Sequence, residues 1–273
     1  MTISVIRYCK YDNIPNEEYI HCGADGRISS LCNKESTTIY TQYAIKILPL
    51  EISFAPETSH LFKIHKLSYE IGFTYAGHVS VSLYTYSLLS YFCKRISPII
   101  DSKESVNSLP SLESIAHLTG LILCNYFKDY GFSIGEKAIA EIVIFGFCSQ
   151  TKGLKAYYIK PELNTSSKEF YPKIQDIDIR NRNYFAIGSG AHLLDEKVKL
   201  NNNIFNPKMI RKIINEQDIS SNVGGAYQRA VAYKNGFHLF NDTNMKLLDK
   251  YDSAYNLGSH IITFPCTTRA DYD

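Results

Sequence analysis

The sequence has no tryptophan, no CxxC pair and no closely spaced group of cysteine and histidine. Zinc is held by such ligands a few residues apart, so no metal site is expected, and no cofactor either. The seven cysteines, Cys9, Cys22, Cys32, Cys93, Cys124, Cys148 and Cys266, read instead as reduced and mostly buried thiols. A run of about 20 apolar residues, the length of a membrane span, is also missing. The opening MTISVIRYCKYD lacks a basic stretch ahead of an unbroken apolar core, so neither a membrane partner nor a secretory signal is expected, and a cytoplasmic protein is. A formal charge of +2, with lysine and arginine scattered along the chain, leaves out the dense basic stripe that nucleic acid requires. Internal repeats and low-complexity linkers are absent as well.

What is present suits a folded chain: 45% hydrophobic residues, 21% charged, and 273 residues, read as one domain over 1–273 with a substantial core. TISVIRYC (2–9) and YIHCGAD (19–25) read as a hairpin that begins at the terminus. The stretch around 32–60, with Pro49 and Pro56, has an irregular pattern and reads as an insertion. LFKIHKLSYEIGFTYAG (61–77) reads as a strand pair that ends at a glycine. Helices follow over 78–98, stopped by Pro98, and over 111–130, with Ser111 as N-cap and Gly131 as stop. KAIAEIVIFGFCS and LKAYYIK make a second hairpin, and NYFAIGSGAHLL a strand, a Gly-rich turn and a helix start. A helix over 206–217 with Pro207 at its first position precedes two strands around a Lys-Asn-Gly turn. Two hairpin systems flanking paired helices predict an α+β fold, a four-layer αββα sandwich of two antiparallel sheets.

Thr2 is the most suggestive single residue. Methionine aminopeptidase removes Met1 before a small second residue, and a free N-terminal threonine holds nucleophile and base together. Its hydroxyl attacks, and its α-amine, titrating near 7.7–8.0, accepts the proton. Met-Thr is common, however, and Asp25 or Lys63 taken singly would pass as a turn residue and a solvated charge.

The order of the motifs is more specific than any one of them. Asp25-Gly26-Arg27-Ile28-Ser29 ends the second strand, Lys63-Ile64-His65-Lys66-Leu67 follows, and Ala76-Gly77 closes the next strand. The chain in this respect resembles the β-type proteasome subunits and their bacterial relatives, the HslV peptidase and the Anbu proteins, all Ntn hydrolases. The resemblance implies Thr2 as nucleophile, Lys63 rather than Lys66 as the lysine that lowers the hydroxyl pKa, Asp25 as its orienting partner, and the Gly77 amide as oxyanion donor. It also implies that Ser189, in the Gly-Ser-Gly turn, and Asp218 with Ser221 hold the α-amine, Ser220 being the alternative to Ser221. Arg27, Ser29, Tyr75 and Val79 would contact substrate, Ser29, Gly77 and Val79 by pairing with an extended peptide and Tyr75 at the base of the first specificity pocket, unless it is a core tyrosine.

By the same resemblance the chain would be a threonine endopeptidase in a homo-oligomeric ring or stack of rings. Its substrate would be a peptide or unfolded protein, delivered where needed by an ATPase unfoldase. A catalytically silent subunit and a small-molecule Ntn amidase are the alternatives. The longer first turn and the extra residues between Asp25 and Lys63 make the sequence divergent.

Overall fold

The computed structural model describes residues 2–10, 18–33, 36–54, 67–96, 109–134, 139–166, 169–216, 223–234 and 236–242. Twelve strands and four α-helices occur among them. Strands β1 (Ser4–Lys10) and β2 (Glu18–Asp25) form the first hairpin. β10 (Phe185–Ile187) flanks β1, while β11 (Tyr227–Tyr233) and β12 (Gly236–Asp242) extend β2, giving a five-stranded sheet in the order β10-β1-β2-β11-β12. The second sheet runs β5 (Ile47–Phe54), β6 (Leu67–Gly77), β7 (Ala140–Cys148), β8 (Gly153–Leu163) and β9 (Phe170–Asp176) in simple succession. Both are antiparallel throughout. A small hairpin, β3 (Ile28–Asn33) with β4 (Ser36–Thr41), stands apart.

The period-2 geometry of a strand divides its side chains between two faces, and here both faces are buried. In β7, Val143 and Phe145 enter one core while Ile142 and Ile144 enter another. In β8, Ala156 and Tyr158 alternate in the same way with Tyr157 and Ile159. The first of these cores is shared with Ile6, Ile20, Cys22 and Ala230 of the first sheet, so it fills the space between the sheets. The other is shared with Val81, Leu89, Leu112 and Leu123 of helices α1 (Val79–Cys93) and α2 (Leu112–Ile134), which cover the outer face of the second sheet. A third core joins Ile3, Val5 and Tyr227 to Leu194 and Val198 of α3 (Ala191–Leu200) and to Ile210 and Ile213 of α4 (Lys208–Glu216). Three cores separate four layers, α1/α2, sheet, sheet, α3/α4, which is the αββα sandwich expected.

Three local expectations differ from what is found. α2 continues past Gly131 to Ile134, while at its start the Ser111 hydroxyl accepts from the Ser114 amide at 3.0 Å. Over 61–77 the described residues form one long strand, β6, paired with β5. The stretch read as an insertion, 32–60, supplies β4 and β5. Pro49 lies inside β5, which tolerates it because β5 is an edge strand and one side of its backbone pairs with nothing in the sheet.

Candidate active site

Thr2 and the end of β2 are brought together by the β1–β2 register, in which Ser4 faces Ala24. Past that pair the two chains exchange backbone groups with Asp25: its amide donates to the Ile3 carbonyl at 3.2 Å, and its Oδ1 accepts from the Ile3 amide at 3.0 Å. Asp25 is completely buried. Its other oxygen accepts from the Gly224 amide at 3.2 Å. A carboxylate in such a place needs a cation, because an unpaired buried charge costs several kcal/mol.

That cation is Lys46. Its Nζ, 2.7 Å from Asp25 Oδ1, also donates at 2.7 Å to Thr2 Oγ1 and at 2.7 Å to the Arg27 carbonyl. An ammonium has three protons, and here each has its own acceptor. Burial pulls the Lys46 pKa below the ordinary lysine range, and Asp25 opposes that pull. With every proton bonded and a carboxylate in contact, the geometry suits the charged form. An ammonium that donates to the Thr2 hydroxyl favours its alkoxide and cannot accept its proton, so the base must be another group.

The backbone of Lys46 is held as tightly as its side chain. Gln228, buried on β11, accepts from the Lys46 amide at 2.8 Å and from the Ile47 amide at 3.3 Å, and its own amide donates to the Ala44 carbonyl. Thr74 of β6 donates to the Lys46 carbonyl at 3.0 Å and lies 2.7 Å from the Ser4 hydroxyl. The lysine is thus fixed at the entrance to β5 by groups from both sheets.

This revises the assignment made from sequence, where Lys63 was given the place beside Thr2. Lys46 fills it. Lys63 lies outside the described residues, as do Lys66, Asp218, Ser220 and Ser221. Lys46 stands just ahead of β5, whereas Lys63 falls in the segment between β5 and β6. The usable signal was AIKILPLEI itself, a lysine set among apolar residues at the start of an alternating run. Gln228 and Thr74 carried no signal of their own.

Of the other residues singled out, Gly77 ends β6 beside the site, with φ +92° and a conformation in which a Cβ would lie 2.3 Å from the Ile139 carbonyl oxygen. Only glycine fits there. Ser189 sits in the turn against Thr2, between Gly188 and Gly190, and the Gly190 amide donates to the Thr2 carbonyl at 3.1 Å. The Ser189 carbonyl lies 2.7 Å from His192 Nδ1. Arg27, expected to touch substrate, is instead buried; its carbonyl receives Lys46, and its Nε donates to Gln42 Oε1 at 3.0 Å. Ser29 is half-buried on β3, and Val79 is half-buried at the start of α1. Tyr75 is a core tyrosine on the α1/α2 side, 1% exposed, whose hydroxyl donates to the Ile45 carbonyl at 3.0 Å. Its hydroxyl thereby ties the residue before Lys46 to β6.

Among the described residues, no group of three or more His, Cys, Asp or Glu side chains is placed to hold a metal ion. No helix among them is long and apolar enough to cross a membrane. No protein-family model matches the chain, and no curated protein sequence does. Solved structures do. Anbu, the ancestral β-subunit, from Yersinia bercovieri superposes with a TM-score of 0.51 over 97% of this chain and 98% of that one, at 11% identity. The fold is that of the proteasome-like Ntn hydrolases. A Gly-1 mutant of Anbu from Hyphomicrobium sp. strain MC1 matches with a TM-score of 0.49 at 10% identity, covering 97% and 99% of the two chains. HslV from Trypanosoma brucei matches at 0.41 and 11%, covering 84% and 99%. At such identities the likeness speaks for the proteasome-like fold alone, and what the site does rests on its own atoms.

Proposed function

We propose that the chain is an N-terminal threonine hydrolase of peptide bonds and a subunit of a proteasome-like assembly, active once Thr2 is the free N-terminus. The observation that carries this reading is the 2.7 Å contact of a buried, Asp25-paired lysine with Thr2 Oγ1. A buried ion pair that served stability alone would not need the hydroxyl of the second residue.

In the reaction, Thr2 Oγ1 attacks the scissile carbonyl carbon as its proton passes to the Thr2 α-amine, directly or through water. Lys46 stabilises the oxygen as it loses the proton, and Asp25 fixes Lys46. The carbonyl electrons move to an oxyanion that the Gly77 amide receives. Collapse restores the carbonyl, breaks the C–N bond and hands the proton to the departing amine. Water then attacks the ester, with the amine again as base, and regenerates Thr2. The turn that carries Ser189 is suited to orient the amine, and Asp218 with Ser221 remain the sequence-based candidates for the same task. A peptide would pair in extended form alongside Ser29 and Gly77. Assembly into homo-oligomeric rings in the cytoplasm, with an ATPase unfoldase as partner, belongs to the same proposal.

The deciding experiment is the intact mass of the protein before and after a peptide epoxyketone, which bonds to both the hydroxyl and the amine of an N-terminal threonine. One adduct per chain, lost in Thr2→Ala, is the expected result. A chain that retains Met1 in every preparation, or that gives no Thr2-dependent adduct in any oligomeric state, would end this reading. An adduct without cleavage of unfolded protein would redirect it to small amides.

A further inference from the structure

Resting on that reading, we infer that Glu141 is a positioning residue for Thr2, acting across the sandwich through the Gly188–Gly190 turn. Glu141 stands on β7 directly opposite Ala76 of β6, so both side chains point toward the first sheet at the end where Thr2 lies. Its Oε2 accepts from the Gly188 amide at 2.7 Å, and its Oε1 accepts from the Tyr158 hydroxyl at 2.5 Å. One carboxyl group thus takes both partners, the backbone of the glycine turn on one oxygen and a neighbouring strand's hydroxyl on the other. Burial of the phenol, and then the bond to Glu141, push the Tyr158 pKa up, so the phenol stays protonated.

Gly188 is in turn pressed against the nucleophile. At φ +89° it has no Cβ, and one built there would fall 2.2 Å from the Thr2 carbonyl oxygen and 2.9 Å from the Ala76 Cβ. Two residues on, the Gly190 amide donates to that same Thr2 carbonyl. Thr2 therefore has two anchors on opposite sides. Asp25 holds the following residue through the Ile3 amide, and the glycine turn holds the Thr2 carbonyl. The first anchor belongs to the same sheet as Thr2. The second is fixed by a side chain from the other sheet, and among the described residues Glu141 is the acceptor for the Gly188 amide. Without it the turn keeps its contact with Thr2 but loses its own support, and Thr2 Oγ1 is free to drift from Lys46 Nζ. A misplacement of about 1 Å is enough to cost roughly 100-fold in rate.

The test uses Glu141→Ala and Glu141→Gln in the full chain with two independent readouts. Amide hydrogen exchange is followed at Gly188 and Gly190, with Ile144 in the middle of β7 as an internal control. Glu141→Ala should accelerate exchange at the two glycines at least tenfold and leave Ile144 unchanged. The rate of Thr2 modification by a peptide epoxyketone should fall about 10- to 100-fold, mainly in the bond-forming rate constant rather than in probe affinity. Glu141→Gln retains an acceptor for the Gly188 amide, and the Tyr158 hydroxyl can turn to accept from the new amide, so it should recover to within a few-fold of wild type in both readouts. Unchanged exchange at Gly190 in Glu141→Ala overturns the inference, as does wild-type reactivity in that variant. Faster glycine exchange in a protein whose wild type shows no Thr2 adduct would leave the anchor standing and remove the function proposed above.

Discussion

Replacing Lys46 by methionine keeps most of the side-chain volume and removes the charge that faces Asp25 and Thr2. Breaking a buried ion pair from one side costs about 3–5 kcal/mol, because the other charge stays behind. Asp25 retains two backbone donors, the Ile3 and Gly224 amides, which places Lys46→Met at the lower end, about 3 kcal/mol. For a chain of this size that corresponds to a fall in melting temperature of about 6–12 °C. Asp25→Asn should destabilise by a similar amount, since an ammonium is then left with only neutral acceptors. The double variant removes both charges, so its loss should be smaller than the two single losses added, with a coupling of roughly 1–3 kcal/mol. Reactivity should behave differently. Epoxyketone modification of Thr2 should drop at least about 100-fold in Lys46→Met and stay low in the double variant, because the hydroxyl has lost its electrostatic support whichever charge accompanies the loss. Thermal melts and adduct kinetics on the four proteins make the measurement. A Lys46→Met protein that melts with wild type, or whose Thr2 reacts at the wild-type rate, would refute the placement of this ammonium.

Three further outcomes are expected. Lys63→Ala should leave the rate of Thr2 modification within about twofold of wild type by the same adduct assay, since Lys46 holds the role; a 100-fold loss would return the role to Lys63. Gly188→Ala should lower stability by at least about 2 kcal/mol in denaturant titration, because the left-handed backbone and the contact with the Thr2 carbonyl both exclude a methyl group. His21, 7% exposed beside Arg7 and Arg229, has its pKa pushed down to about 4 by burial and then by the two arginines. The unfolded chain takes up that proton near 6.5 and the folded one only near 4, so stability should fall as pH drops through this window, by about 3 kcal/mol in all. Urea titrations at pH 7 and pH 4 on wild type and His21→Gln isolate the contribution.

How much could be read in advance depended on whether a residue's task left a mark along the chain. β1, β2, β7 and β8 announce themselves because their side chains alternate or run apolar between clear turns, and α4 because Pro207 opens it. Asp25 is legible because it stands in a compact motif at a strand end. Lys46 is not, because its partners are Thr2, Asp25 and Arg27, all at least 19 residues away, and because Pro49 makes an edge strand look like a loop. Tyr75 read equally well as a pocket or a core residue, and only the bond to Ile45 and its burial decide for the core. Gln228, Thr74 and Glu141 each reach the site through a contact between the two sheets. No local pattern reports a contact of that kind.

On the function proposed above, those contacts would also set the moment at which the chain becomes chemically competent. Thr2 and Asp25 arrive with one sheet, while Lys46, Thr74 and Glu141 arrive with the other. Neither half alone brings Lys46 to the Thr2 hydroxyl. A newly made chain whose sheets have not yet docked would thus present Thr2 as an ordinary hydroxyl, harmless to neighbouring peptides. Closure of the sandwich would be at once the last step of folding and the first step of activity, a safety catch released by the tertiary structure itself.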